Sequence, residues 1–559
     1  MSNQRNRGVS RRQVLGTGVA AAVGAALFED AAEAAQGRGQ AVPATAAAPE
    51  ELVFVNGRIH TMDRNNAVAN TVTIRNGRFA AVGGAAPRPA AGRRVVDLRG
   101  RTVVPGIIDN HNHIVAMGNR PGYHTPLENA TSIADVQAII SARAAAAPRG
   151  VWITTIGGFH RNHLVAATES PRLPTLAELD KAAPNNPVFI SEGFSGPSAT
   201  NSLGKKFFES PIMPVPVGGD GSIAAGAQAT GRALLVLRQT LLDATERRRG
   251  ALDAMNYGLS LGVTTHLDEG VFQATNTPND GAAHEDNYTM HLPFVALHRD
   301  GQLPARLRIN YLHQDGPELT TLKERLRNTL PFFGDDMIRT GGIGEFIGGP
   351  KSSTEAAKLI ARAGWRAEVH SLSRNDFQQE IQDYETAHKE SSIASLRWVV
   401  AHVPFITEDW VNRLKAIGGG LSLTSWRYLA GTPEQNGPPF KMILNNGIPA
   451  GMSSDGMQIA PMNPWIHMYY AVTGKNARGQ VINGDQVISR QEVLKLYTAS
   501  NGWFLREENQ LGSIEVGKLG DLVVLNQDYF MVPDEALKKT NAVMTVVGGK
   551  IVHDTGAVK

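Results

Sequence analysis

The sequence predicts an α/β protein: a (β/α)8 TIM-type barrel with a small β-sandwich domain formed by both chain ends. Strand-like runs alternate with amphipathic helices through the middle of the 559-residue chain. Several of these runs end in His, Glu or Asp, as expected where catalytic groups gather at the carboxyl ends of parallel strands. A doubly wound sheet is the alternative, but no G-x-G-x-x-G follows the first strand of the middle region.

The first 35 residues read as a targeting signal. They begin with basic residues, include the pair Arg11-Arg12 and continue into an apolar stretch from Val14 to Phe28. This order is typical of a twin-arginine export signal, with a Sec signal or an uncleaved anchor as alternatives. Residues 36–50 are expected to be a linker. We therefore predict a periplasmic or secreted protein with no membrane span once the signal is removed.

Two β-rich segments bracket the predicted barrel. Residues 51–105 contain short strand-like runs closed by Asn-Gly turns, and residues 506–559 repeat this pattern. Segments of one kind at opposite ends of a chain most simply form one domain. The predicted boundaries are therefore an N-terminal sandwich segment over 51–105, the barrel over 106–505 and a C-terminal sandwich segment over 506–559.

Composition restricts the chemistry. The formal net charge is only +3, and no long basic run follows the N-terminus, so nucleic acid is not an expected partner. The chain has no cysteine, which excludes disulfides, thiolate metal ligands and a cysteine nucleophile. A metal would have to be held by carboxylates and by some of the 16 histidines of the chain. We expect a small-molecule substrate; a homo-oligomer is one option that the sequence leaves open.

The stretch PGIIDNHNH at 105–113 ends a predicted strand in two histidines. His111 and His113 are two residues apart, so on a strand both imidazoles point to the same face. Two imidazoles directed at one point favour a metal site. His370, His402 and Asp455 also fall at the ends of β-rich runs. Each alone has a structural explanation as a hydrogen-bonded, turn or cap residue, but together they favour one site.

These motifs resemble those of the amidohydrolase superfamily. The resemblance extends over roughly residues 51–555 and rests on five segments: VVPGIIDNHNH, EVH at 368–370, AHV at 401–403, SSDG at 453–456 and the closing stretch at 497–528. The segment that begins AGMSSDGMQ resembles the branch called amidohydrolase family 3, which contains N-substituted formamide deformylases.

The resemblance implies roles for the matching positions. His111 and His113 would bind one divalent ion beside Asp455, and His370 with His402 would bind a second ion if two are present. Zinc is the default for such ligands, with manganese or iron as alternatives. A divalent ion lowers the pKa of bound water, and Asp455 would act as general base and then general acid.

The implied reaction is hydrolysis of an amide, N-acyl or N-formyl C–N bond in a small molecule. The alternatives are the same fold acting on an ester, lactone or cyclic amide, or a barrel that binds a ligand without catalysis.

Three further positions carry separate expectations. Many relatives place a carboxylated lysine on strand 4, whereas this chain reads GGIGEFIGG and has no lysine there. Glu345 would then supply the bridging carboxylate; the alternative is an exposed loop acid beside a single ion. His160 and His266 also lie near predicted strand ends, where they are expected either to contact substrate or to be ordinary hydrogen-bonded histidines.

Overall fold

The computed structural model describes residues 51–558, apart from 86–87, 89, 165–169, 194, 212–213, 272–288, 350 and 457–459. The predictions of a signal over 1–35 and a linker over 36–50 lie outside the described residues. Among the helices that are described, none combines the length and the apolar character needed to cross a membrane.

The described chain forms 23 strands. In chain order they are β1 Glu51–Val55, β2 Arg58–His60, β3 Val68–Ala69, β4 Val72–Arg75, β5 Arg78–Val82, β6 Arg93–Asp97, β7 Thr102–Pro105, β8 Ile107–Asn112, β9 Tyr123–His124, β10 Ile153–Ile156, β11 Val188–Ser191, β12 Ser198–Thr200, β13 Ser222–Ile223, β14 Val263–Asp268, β15 Arg306–Tyr311, β16 Ile338–Ile343, β17 Glu368–Ser371, β18 Val399–His402, β19 Gly420–Thr424, β20 Ala450–Ser453, β21 Leu522–Leu525, β22 Ala542–Val547 and β23 Lys550–Asp554.

The α-helices alternate with these strands. They are α1 Ile114–Gly118, α2 Ile133–Ala146, α3 Leu176–Ala182, α4 Ser202–Phe208, α5 Arg232–Leu241, α6 Ala244–Ser260, α7 Leu292–Arg299, α8 Thr320–Asn328, α9 Ser353–Arg362, α10 Arg374–Glu390, α11 Glu408–Ala416, α12 Arg427–Ala430, α13 Phe440–Asn446, α14 Pro464–Thr473, α15 Arg490–Leu496 and α16 Asn501–Leu505.

Two four-stranded parallel sheets carry the middle of the chain. Their orders are β16-β15-β14-β8 and β17-β18-β19-β20, so neighbours in space are mostly neighbours in sequence. A parallel bridge between Ile343 and Ala367 joins β16 to the start of β17. At the other edge, the amide of Asp455, just after β20, donates to the carbonyl of His111 on β8 at 3.0 Å. The carboxyl ends of all eight strands therefore lie on the same side of these sheets.

Helices link successive strands of these sheets, as the βα pattern predicts. From β14 onward each connection contains one or two helices, for example α10 between β17 and β18. The helix α10 begins with a capping box in which Ser373 and Asp376 exchange hydrogen bonds, so the backbone amides of these two residues have partners. It buries apolar side chains such as Phe377 and Ile381.

A third sheet is inserted between β8 and β14. Its order is β13-β12-β11-β10-β9, with β9, β10 and β11 parallel. The runs 152–160 and 187–196, predicted as barrel strands, do form strands (β10 and β11), but these pair with each other in this separate sheet. The prediction is corrected for these two runs. An apolar pattern indicates that a strand is buried, and it does not identify the strand that it pairs with.

Strands from both chain ends share one sheet. Its order is β23-β22-β21-β7-β2-β3, in which β21 pairs antiparallel with β7. A four-stranded sheet, β5-β4-β1-β6, comes wholly from the N-terminal segment. One buried cluster contains residues of both ends, including Phe54, Ile74, Leu522 and Met544. The pairing of β7 with β21 thus brings the two ends together.

Candidate metal centre

The strand β8 places two histidines at its carboxyl end. The Nδ1–H of His111 donates to Glu368 Oε1 at 2.7 Å, and the Nδ1–H of His113 donates to the carbonyl of Gly270 at 2.6 Å. These bonds orient both rings so that each Nε2 faces the same space. The Nε2 of His111 is buried and has no hydrogen-bond partner among the described residues. It is therefore free to act as a ligand.

Glu345 lies at the centre of the histidines. Its Oε2 is 2.8 Å from His370 Nδ1 and 3.4 Å from both His111 Nε2 and His402 Nε2, while its Oε1 is 3.5 Å from His113 Nε2. The residue is only 3% exposed. The alternative of an exposed loop acid is therefore excluded by burial. This one carboxylate thus lies within 3.5 Å of four imidazoles.

His370, His402 and Asp455 complete the group from the second parallel sheet. The His402 Nε2 is 3.0 Å from His370 Nδ1, and its Nδ1 is 3.0 Å from Thr424 Oγ1. Asp455 follows β20, and its Oδ1 is 3.1 Å from His113 Nε2. Its other oxygen, Oδ2, is buried without a hydrogen-bond donor among the described residues. All six residues predicted as metal ligands thus converge at the carboxyl ends of five parallel strands.

The donor set fits a divalent ion. The candidate ligand atoms fall into overlapping groups in which all atoms lie within 4.8 Å of one another: His111, Glu345 and His402; His111, His113 and Asp455; His111, Glu269 and Glu368. Imidazole nitrogens with carboxylate oxygens suit zinc and related metals. The unpartnered His111 Nε2 and Asp455 Oδ2 point to the same requirement, because buried polar atoms normally have a partner.

The local charges also suit a bound cation. Burial would raise the pKa of Glu345, but His370 and His111 outweigh it and hold that pKa well below the ordinary value. Burial would lower the pKa of His113, but Asp455 and Glu345 raise it to about 9. Burial instead lowers the pKa of His402, so the histidines do not all carry an extra proton. A metal ion would take the place of a proton on each ligand nitrogen that carries one, since ligand imidazoles must be neutral.

Two acids that the sequence analysis did not select lie behind His111. Glu368 holds the His111 ring and also accepts a hydrogen bond from Arg366, and Glu269 Oε1 accepts from Asn310 at 2.7 Å. Only Glu368 had a signal in the quoted motifs, because in EVH it stands two residues before His370 on one strand and so shares its face. Glu269 lies just after β14 and outside those motifs.

The two predicted substrate contacts, His160 and His266, have hydrogen-bond partners within the protein. His160 is half-buried and caps a short 3₁₀ turn, where it accepts from the amide of Asn162 at 3.1 Å. His266 is on β14, but its Nδ1 is 3.0 Å from Asn112 Nδ2 and its ring packs against Gly258 of α6. Neither residue belongs to the candidate ligand groups. Each is hydrogen-bonded through one ring nitrogen, and a contact of either with substrate stays a prediction.

The chain matches known proteins over most of its length. A model of the Amidohydrolase family matches residues 94–553. An N-substituted formamide deformylase from Arthrobacter pascens is 25% identical over 560 aligned residues, covering 90% of this chain and 98% of that protein.

Solved structures share the fold. An uncharacterized metal-dependent hydrolase from Pyrococcus furiosus aligns with a TM-score of 0.56 at 19% identity, over 86% of this chain and 100% of that one. An atrazine chlorohydrolase from Arthrobacter aurescens TC1, solved with zinc, aligns with a TM-score of 0.53 at 15% identity, over 90% of this chain and 95% of that one. At these identities the likeness establishes a common TIM-barrel-type α/β fold.

Proposed function

The chain belongs to the amidohydrolase family and is a hydrolase of carbon–nitrogen bonds other than peptide bonds; on this premise we propose that it is an exported, zinc-dependent hydrolase of an N-acyl or N-formyl bond in a small molecule. The observation that carries the proposal is the convergence of four histidines with Glu345 and Asp455 in one buried cluster. The full-length likeness to a formamide deformylase supports the choice of bond.

The proposed architecture follows the same logic. The two parallel sheets would form one eight-stranded barrel, closed between β20 and β8, where the Asp455 amide donates to the His111 carbonyl. The two terminal sheets would pack as a β-sandwich over the buried cluster that both ends share. The insertion between β8 and β14 would stand outside both units.

Each cluster residue then has a proposed position around the metal. His111, His113 and Asp455 would hold one ion, His370 and His402 would hold a second, and Glu345 would contact both. A bound divalent ion lowers the pKa of water and polarises the carbonyl group of the substrate. Zinc is proposed because imidazole and carboxylate donors suit it, with manganese or iron as the alternatives.

Asp455 would move the proton. Its buried Oδ2 has no donor among the described residues, and its backbone amide donates to the His111 carbonyl at 3.0 Å, which fixes the residue beside the histidines. It would accept a proton from the attacking water as the water oxygen bonds to the carbonyl carbon. It would then give that proton to the nitrogen as the C–N bond breaks. One amide and one water thus yield a carboxylic acid, formic acid for an N-formyl substrate, and an amine.

Export is proposed from the sequence alone. The pair Arg11-Arg12 before an apolar stretch supports a twin-arginine signal. That pathway carries folded proteins, which suits an enzyme that binds its metal before leaving the cytoplasm. The proposed location is the periplasm or the exterior.

The test combines metal analysis with a substrate panel. We expect one or two zinc ions per chain and chelator-sensitive hydrolysis of N-formyl or N-acyl amines. Asp455→Asn should lower kcat by about 10²- to 10⁴-fold, as for loss of a general acid–base. The matched control is Asp409→Asn, an exposed residue in the first turn of α11, which should keep the wild-type rate. A metal-free protein with no chelator-sensitive hydrolysis would refute the proposal, and turnover of esters or lactones alone would reassign the bond.

A further inference from the structure

A cavity of about 550 Å³ opens beside the metal cluster. Glu345 and His370 line one side of it, and residues of α10 line another. Its volume lies within the range of small-molecule sites. The Phe346 ring stacks on His370, with centroids 5.4 Å apart, and extends an apolar wall that includes Ile347 and Val369. A substrate held at the cluster can therefore extend a hydrocarbon segment into this cavity.

Three carboxylates of α10 face this cavity, and two of them are engaged in the protein. Asp376 accepts from the amide of Ser373 at 2.9 Å as a component of the helix cap. Asp383 accepts from Ser353 Oγ at 2.7 Å, from Thr354 Oγ1 and from Gln379 Nε2. These two acids are structural.

Glu380 is the exception. Its Oε2 atom is buried and accepts no hydrogen bond from the described residues. The cavity wall contains no lysine or arginine among its described residues. Burial, with a further contribution from Asp376 and Asp383, raises the pKa of Glu380 to about 8, although the nearby Ser371 hydroxyl acts in the opposite direction. The described lining thus gives Glu380 no positive partner, and a cation beside it would favour its ionised form.

Glu380 belongs to none of the candidate metal-binding groups found among the described residues. The neighbouring acids Asp376 and Asp383 are hydrogen-bonded to other groups of the protein. Glu380 therefore presents one unbonded carboxylate oxygen, Oε2, beside an apolar wall. This arrangement suits one cationic nitrogen at the end of a hydrocarbon chain.

We propose that Glu380 binds a second, positively charged nitrogen of the substrate, so that the enzyme prefers N-acylated or N-formylated amines that carry a free ammonium group. The inference rests on the proposed function for the bond that is cleaved and adds the chemistry of the group beyond it. Glu380 is a specificity residue here, and the reacting atoms stay at the metal cluster.

The test compares two formamides of equal size. N-formyl-1,5-diaminopentane ends in an ammonium group, and N-formylhexylamine places a methyl group there instead. We expect the wild-type kcat/KM to favour the ammonium substrate by about 10- to 100-fold, the range for hydrogen bonds to charged groups. In Glu380→Gln this ratio should fall to about threefold or less. A wild-type ratio near one, or an unchanged ratio in Glu380→Gln, would overturn the inference.

Two further variants serve as controls for this comparison. Glu385→Gln changes the same residue type on the same helix, where Glu385 pairs with Arg413 away from the cavity, and it should keep the wild-type ratio. Glu380→Asp keeps the charge and withdraws it by one methylene, so it should give an intermediate ratio and serves if Glu380→Gln does not fold. A Glu380→Asp ratio equal to wild type would count against the inference.

Binding separates this inference from the proposed function. Calorimetry with 1,5-diaminopentane measures recognition of the cation by wild-type and Glu380→Gln protein without turnover. Binding that depends on Glu380, with neither formamide hydrolysed, would refute the proposed function and leave the cation site standing. Metal-dependent hydrolysis of N-formylhexylamine without any preference for the ammonium substrate would refute the cation site and leave the proposed function standing.

Discussion

Glu368 links the metal cluster to the protein behind it. It accepts hydrogen bonds from His111 Nδ1–H and from Arg366, and all three side chains are buried. The neighbouring Glu269 accepts only from Asn310 among the described residues, and its Oε2 has no partner there. Burial and the charge of Glu368 raise the pKa of Glu269 well above the ordinary value, so Glu269 is neutral while Glu368 is ionised.

Substitution of each glutamate by glutamine should change the free energy of unfolding by different amounts. Glu368→Gln leaves the Arg366 guanidinium as an uncompensated buried charge and is expected to lower the free energy of unfolding by about 3–5 kcal/mol. Glu269→Gln replaces a neutral acid by a neutral amide and is expected to change it by about 1 kcal/mol or less. Urea unfolding of the metal-free proteins measures both. Equal effects would mean that the charge is not located on Glu368.

Buried neutral histidines give the stability a pH dependence. Burial lowers the pKa of His313 from 6.5 to about 4 and that of His163 to about 3. Below about pH 6.5 the unfolded chain takes up protons that the folded chain does not. The free energy of unfolding therefore decreases as the pH decreases. For His313 this loss begins near 6.5 and is complete near 4, and it amounts to about 3 kcal/mol.

The variants His313→Asn and His163→Asn should each reduce the change in the free energy of unfolding between pH 7 and pH 4.5. Urea midpoints at pH 7, 5.5 and 4.5 give the comparison with wild type. A slope that stays as steep in both variants would show that other groups cause the acid sensitivity.

At the element scale, the position of His113 depends on a close contact between two helices. The helix α1 follows His113 directly, and its Gly118 meets Gly250 of α6. A Cβ atom at Gly250 would overlap the carbonyl oxygen of Gly118, which is backbone and cannot rotate away. Glycine at 250 thus allows α1 to pack against α6.

Gly250→Ala should therefore destabilise the protein by about 1–3 kcal/mol, as overpacking usually does, and weaken metal binding through His113. Gly316→Ala is the control, because a Cβ there meets no atom within 4 Å. Thermal unfolding with and without metal measures both effects. Similar behaviour of the two variants would contradict the close contact.

At the scale of the whole molecule, buried ion pairs join the parallel sheets to the C-terminal segment. Arg306 on β15 donates to both oxygens of Asp521, with Nε–Oδ2 at 2.7 Å and Nη2–Oδ1 at 2.8 Å, and the two side chains are 2% and 4% exposed. Arg308 on the same strand pairs with Glu507 at 3.0 Å. The strand β15 is thereby fixed to the residues that lead into β21.

Arg306→Ala should lower the free energy of unfolding by about 3–5 kcal/mol, because it leaves Asp521 buried without its cation. A double-mutant cycle with Asp521→Asn should show strong coupling. The control is the pair Arg172–Glu178, whose side chains are 49% and 28% exposed, and Arg172→Ala should cost less than about 1 kcal/mol. Equal costs at the two pairs would mean that the buried link does not hold the segments together.

The sequence by itself determined the family, the βα alternation and the positions of His111, His113, His370, His402 and Asp455. Local patterns suffice there, because strand periodicity directs alternate residues to one face, and the candidate ligands lie at the ends of those strands. It also selected Glu345 by the absence of the expected lysine, without deciding whether that acid was buried.

Tertiary structure alone decided the rest. It showed that the runs 152–160 and 187–196 form a separate sheet and that His266 packs against α6. It also showed that Glu269 and Glu368 lie behind His111. Glu380 became visible only through the cavity that it lines. The physical reason is that strand pairing, burial of a charge and the lack of a partner depend on residues far apart in the chain. A sequence pattern describes a residue and its near neighbours, and only the packed molecule shows what meets it from elsewhere.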